Sequence, residues 1–199
     1  MKNLVIITPH YPLSYSGASK QNHKINIRLI SHLKISVLSP NNATNTEYDG
    51  IPIVRLPRFK RIDIKKRMHL VIWLFRSIIH IIMKHKNYDV ALLLGAYIDN
   101  VALLPVLHLF GIKTILKTTI ASGEFLANSF TQKVKSSLIV RSVDQFIVLN
   151  DELRNELVNI GVDLKKINII PNGIEIKTEF KVRNNEQKMV FSTFMKYCF

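Results

Sequence analysis

Residues 88–116 read YDVALLLGAYIDNVALLPVLHLFGIKTIL, and the order of patterns in them decides the fold. After its first residue, Asp89 to Leu94 (DVALLL) is apolar throughout, the composition of a strand buried on both faces. Tyr97 to Phe110 predicts a helix, with Gly111 as its stop signal. Ile112 to Leu116 predicts the next strand. A strand, a crossover helix and a second buried strand form the unit of a parallel sheet, since antiparallel neighbours need only a tight turn.

The same alternation extends in both directions. Upstream, Leu4 to Ile7 predicts a strand closed by Pro9 and Pro12, and Lys20 to Leu33 a helix with Ile25, Leu29 and Leu33 four residues apart. Ile35 to Leu38 and Ile51 to Leu56 predict strands on either side of a polar surface loop, Asn41 to Gly50. Ile64 to His85 then predicts a long helix. Downstream come a weaker helix at Asn128 to Val140, a strand at Gln145 to Leu149, and a helix from the N-cap Asn150 to Ile160, stopped by Gly161. Ile167 to Ile170 is the last strand before the turn Pro171-Asn172-Gly173. The fold expected is α/β: a doubly wound parallel sheet, Rossmann-like, with right-handed crossovers. Residues 1–176 make one domain. Residues 177–199 read as a polar linker, KTEFKVRNNEQK, followed by the start of a second domain at Met189-Val190-Phe191.

Composition narrows the function classes. An apolar share of 47% with 21% charged residues excludes wholesale disorder. The 28 Lys+Arg against 14 Asp+Glu give a formal net charge of +14, which favours anionic partners such as phospholipid headgroups, phosphorylated substrates or nucleic acid. A lone Cys198 excludes an internal disulfide framework and a cysteine-based zinc site, so a reducing, cytoplasmic setting is the expectation. The apolar run after Met1 is too short for a secretory signal. Leu70 to Met83 is interrupted by Arg76 and His80 and falls short of the ~20 residues a bilayer span needs; a helix lying on a membrane remains open.

Three segments stand where chemistry would. Pro9 to Ser19 (PHYPLSYSGAS) is the first strand-to-helix loop, and Ser16-Gly17 falls just before the expected helix start. There a small residue allows close approach of a ligand, and free helix N–H groups suit a phosphate; a plain strand-to-helix turn is the alternative. Thr119, Ser122, Gly123 and Glu124 lie in the loop after Leu116, with Glu124 either a hydrogen-bonding or general-base group or simply solvated. Arg58, Lys60, Arg61, Lys65, Lys66 and Arg67 precede an apolar segment with Trp73, a pattern that suits an anionic membrane interface or a basic loop before a core helix. The dinucleotide fingerprint, the Walker A loop, the nucleophile elbow and the zinc-hydrolase histidine pair are all absent. His32, His80 and His108 fall within helical patterns and read as structural.

Over about residues 1–176 the chain resembles the N-terminal half of a family 4 glycosyltransferase of the GT-B type. The matching pieces come in order: LVIITPHYPLSYSGAS at the start, ISVLSP at 35–40, YDVALLLGA at 88–96, FGIKTILKTTIASGEF at 110–125 and VDQFIVLNDELRNELVNIGVDLKKINIIPNGIE at 143–175. The resemblance implies two facing Rossmann-like domains, with the acceptor bound mainly by the first and the nucleotide-sugar by the second. It implies transfer that retains the anomeric configuration without a metal or other cofactor. Ser16-Gly17 then corresponds to the loop near the donor phosphates, Glu124 to an acceptor-facing loop, and Pro171-Asn172-Gly173 to the turn into the interdomain linker. Thr119-Ile120-Ala121 departs from a Thr-Val-His segment in many members. The family's Glu-x7-Glu motif would lie beyond residue 199, on a second domain or a separate polypeptide. The expected acceptor is a glycan or lipid-linked molecule on the cytoplasmic face of the membrane. A noncatalytic Rossmann-like module, including one that binds nucleic acid, and a nonfunctional fragment are the rival readings; no helix-turn-helix or RNA-binding aromatic signature supports nucleic acid.

Overall fold

A computed structural model describes residues 1–9, 11, 17–39, 46–56, 66–118 and 130–172. Its strands are β1 (Asn3–Ile7), β2 (Lys34–Ser39), β3 (Glu47–Tyr48), β4 (Ile51–Arg55), β5 (Val90–Leu94), β6 (Lys113–Lys117), β7 (Gln145–Val148) and β8 (Ile167–Ile169). Its helices are α1 (Gly17–Leu29), α2 (Lys66–Lys84), α3 (Ile98–Val101), α4 (Leu104–Leu109), α5 (Phe130–Ser142) and α6 (Asp151–Asn159). The strands form one sheet in the order β3-β4-β2-β1-β5-β6-β7-β8. Every pair is parallel except β3 with β4. This is the doubly wound, Rossmann-like sheet that the alternation of apolar strands and helices predicts.

The strands are apolar on both faces because both faces are covered. Alternate residues of β1 point to opposite sides: Val5 and Ile7 join one core with Trp73, Leu93, Leu104, Leu107 and Phe146, while Leu4 and Ile6 join a second with Tyr11, Ile35, Val37 and Ile51. Partly buried Leu29 of α1 closes the second core. The first core holds residues of α2, α4, α5 and α6.

Two carboxylates staple the amino edge of the sheet. Asp89 Oδ2 accepts from the Asn3 backbone N–H at 2.7 Å. Asp144 Oδ2 accepts from the Thr114 backbone N–H at 2.8 Å, and its Oδ1 from Lys113 Nζ at 3.3 Å. Burial pushes the Asp144 carboxyl up, but the bonds from Thr114 and Lys113 outweigh it and hold the group below its ordinary value.

Three local expectations are corrected. Tyr97 to Phe110 is two short helices rather than one: Pro105 sits in the first turn of α4, and its ring excludes the carbonyl four residues earlier, at Val101, where α3 ends. The segment read as loop, Asn41 to Gly50, contains β3, which pairs with β4 through the two-residue turn Asp49-Gly50. Both residues have positive φ, +48° and +77°, as a type I′ hairpin requires. The first helix begins at Gly17, three residues before the expected Lys20.

Asp144→Ala should lower the unfolding free energy at neutral pH by about 1–3 kcal/mol through the orphaned Thr114 N–H and lost carboxylate bonds. The carboxyl's contribution is present above its unfolded pKa and lost as pH falls through the lowered folded value. Urea unfolding of both proteins should therefore show the gap narrowing in acid.

Candidate functional site

From β1 the chain crosses to β2 over one face of the sheet, and from β4 it returns to β5 over the other. The strand order reverses between β1 and β5, and the carboxyl ends of the strands at such a reversal are the usual ligand position of an open α/β sheet. The first turn of α1 lies on the chain that leaves β1 there, and it holds no acidic residue. The partial positive charge of this helix start is therefore not offset by an acidic side chain of that turn. Gly17 is its first helical residue.

Polar groups cluster along this edge despite deep burial. Thr8, just past β1, donates its N–H to the Leu38 carbonyl at 3.1 Å. Gly95, just past β5, has φ +85°, a region closed to most side chains, and donates its N–H to the Lys117 carbonyl at 2.8 Å. Asn100 is fully buried, and its Nδ2 donates to the carbonyls of Leu94 and Gly95 at 3.1 and 3.0 Å. Lys117 ends β6, 8% exposed, and its Nζ donates to Asn22 Oδ1 on α1 at 3.2 Å. Burial lowers the Lys117 pKa from its ordinary value. The Lys117 amine bonds the second turn of α1, the helix that starts on this edge. Together they suit a phosphate-bearing ligand.

A second network ties Tyr11 to α1 and α1 to the β3–β4 turn. Tyr11 Oη lies 3.0 Å from His23 Nδ1, and Asn26 Nδ2 donates to the same hydroxyl at 3.3 Å. His23 Nε2 lies 2.8 Å from Asp49 Oδ2 in the β3–β4 turn. Every partner is satisfied when the phenol donates to Nδ1 and the Nε2 proton faces Asp49. Burial, with the charge of Asp49, pushes the Tyr11 phenol up to about 12 although the Asn26 bond pulls it down, so the phenol keeps its proton across the physiological range.

Of the residues singled out in the sequence, Gly17 stands at the start of α1; Ser16 lies outside the described residues. So do Thr119, Ser122, Gly123 and Glu124, together with Arg58, Lys60, Arg61, Lys65 and Gly173. Lys66 and Arg67 open α2, while Pro171 and Asn172 are exposed just beyond β8. Trp73 is corrected: it is 1% exposed and packs in the first core, because its face of α2 is the one turned to the sheet. The sequence reading missed Lys117 and Asn22. The available signal was a lysine at the carboxyl end of an otherwise buried strand, KTILK. Among the described residues, no three His, Cys, Asp or Glu side chains are grouped so as to hold a metal ion.

No family model and no curated protein matches the chain. Solved structures do. HepE of Anabaena, in complex with UDP-glucose, superposes with TM-score 0.64 at 11% identity over 88% of this chain and 45% of that one. Sucrose-phosphate synthase of Thermosynechococcus elongatus gives 0.65 at 10% identity, over 86% and 48%. UDP-N-acetylglucosamine 2-epimerase of Rickettsia bellii gives 0.62 at 12% identity, over 86% and 45%. The chain thus shares the Rossmann-like fold of these structures, and spans about half their length.

Between its lowered folded pKa and the ordinary lysine value, Lys117 binds fewer protons folded than unfolded, so it makes stability rise with pH over that window. Lys117→Met should flatten this alkaline rise, whichever way it moves the midpoint itself. Chemical unfolding followed across the alkaline range reads the slope directly, and an unchanged slope would show that the amine is solvated.

Proposed function

We propose that these residues form the acceptor-side half of a family 4-like GT-B glycosyltransferase. It transfers a sugar from a nucleotide-sugar to a glycan or lipid-linked acceptor in cell-surface polysaccharide synthesis. The observation that carries the reading is the sheet reversal between β1 and β5, which opens beside the carboxylate-free start of α1. It occurs in a fold whose solved neighbours include one in complex with UDP-glucose.

Within this reading, the start of α1 at Gly17, with Ser16 before it, faces the donor's phosphates. The Lys117–Asn22 pair holds α1 against β6 and supplies an amine near the developing negative charge of the leaving diphosphate. The Tyr11–His23–Asp49 chain ties the β3–β4 turn and Tyr11 to α1. The loop with Thr119, Ser122, Gly123 and Glu124 meets the acceptor, and the Pro171-Asn172-Gly173 turn leads toward the donor domain. That second Rossmann-like domain supplies the nucleotide pocket and most of the leaving-group stabilisation. It is either continuous with residues 177–199 or a separate polypeptide. The basic segment from Arg58 to Arg67 keeps the enzyme at the cytoplasmic face of an anionic membrane.

The purified 199-residue chain should release no UDP from UDP-glucose in the presence of membrane extract, and adding a second-domain polypeptide should restore sugar transfer. Transfer by the chain alone would overturn the division of labour. In the complemented enzyme, Gly17→Asp separates binding from folding. An acidic residue at a helix start favours the helix, so the melting temperature should hold. A carboxylate facing a diphosphate should weaken UDP-glucose binding by more than about tenfold, as calorimetry would measure.

A further inference from the structure

The helix α2 carries apolar residues on two opposite faces. Trp73, Ser77 and Ile81, four residues apart, are all buried against the sheet. Val71, Phe75, Ile79, Ile82 and Met83 recur at three- and four-residue spacing on the other side and are exposed, Val71 at 59%, Phe75 at 63% and Met83 at 72%. Leu109 adds another exposed apolar side chain at the end of α4, next to Phe110, whose ring stacks on His85 at 4.5 Å. A row of large apolar side chains in water on one helix is a recognition surface rather than the scatter of a normal exterior.

We infer that this outward face of α2 docks on an anionic phospholipid surface, with the helix lying in the plane of the interface and Phe75 near the centre of the inserted row. The charge around the row selects this occupant. From Ile64 to Tyr88 the sequence holds Lys65, Lys66, Arg67, Arg76, Lys84 and Lys86, and no Asp or Glu. An amphipathic helix with cations beside its apolar stripe settles ~5–10 Å into the headgroup boundary, and each nearby cation adds attraction to anionic lipid. A second copy of the chain fits less well. A two-fold interface would set this face on itself, bringing like charges together at a cost in affinity. Nor does α2 span the bilayer: among the described residues, no helix is long and apolar enough to cross a membrane.

The inference deepens the membrane part of the proposed function, and its test does not depend on sugar transfer. The full chain is sedimented with phosphatidylcholine vesicles that contain or lack phosphatidylglycerol, as wild type, as Phe75→Ser, and as Phe75→Ser/Ile79→Ser. These positions are exposed, and unchanged circular dichroism and melting temperature confirm folding. Binding should require phosphatidylglycerol and weaken by roughly tenfold for Phe75→Ser and further for the double variant. In a separate Phe75→Trp protein, the fluorescence blue shift produced by these vesicles should exceed that of wild type, whose Trp73 is buried.

Three results would overturn the inference. Binding that salt abolishes but the serine variants leave intact would mean contact through charge alone, with the peripheral-membrane reading surviving. Absence of vesicle binding would remove both. Lipid-free dimerisation that the serine variants dissolve, without vesicle binding, would assign the face to a second copy.

Discussion

The structure depends on β1 having a parallel neighbour on each side. Leu4 pairs with Ile35 on one flank and with Val90 on the other, so no flank is left for a hairpin and the chain must leave by crossovers. Right-handed crossovers that run outward in opposite directions lie on opposite faces of the sheet. That single constraint places α1 on one face and α2, α4, α5 and α6 on the other, so the connections from β1 and β5 diverge at their carboxyl ends. The point of reversal follows from connectivity alone. The loops determine what it binds.

The two edges of the sheet use polar groups in opposite ways. At the amino edge, Asp89 and Asp144 each accept from a backbone N–H, and the charge of Asp144 is held by Lys113. The gain there is stability. At the carboxyl edge Lys117 is buried with its ammonium on a neutral amide oxygen, an arrangement that desolvation opposes. A ligand with negative charge would offset that cost. A desolvated lysine thus falls on the edge where the strand order reverses, as expected where binding rather than folding sets the residue choice.

The architecture was legible because buried parallel strands must be apolar on both faces, and runs such as VALLL and LVII have few other uses. Boundaries were less legible. Pro105 interrupts an apolar pattern that periodicity alone reads as one helix. Asp49-Gly50 makes a hairpin whose first strand, Glu47–Tyr48, is too short for alternation to register. For the candidate site, the sequence placed a helix start within three residues of Gly17, where α1 begins, but it did not give the set of partners. Lys117 and Asn22 are 95 residues apart, and His23 meets Asp49 only because the β3–β4 turn folds over α1. Contacts of that kind are set by strand order, which the local pattern does not encode.

The helix α2 shows where hydropathy gives an ambiguous result and packing resolves it. Trp73-Ser77-Ile81 and Val71-Phe75-Ile79 follow the same spacing on opposite sides, and both rows are mostly apolar. The more conspicuous residue, Trp73, belongs to the buried row. A helix that is apolar on nearly every side is normally enclosed by protein or by lipid. Here the sheet covers one side and leaves the second open among basic residues. The exposed row among these cations is what the inferred lipid contact rests on, while the buried row belongs to the core.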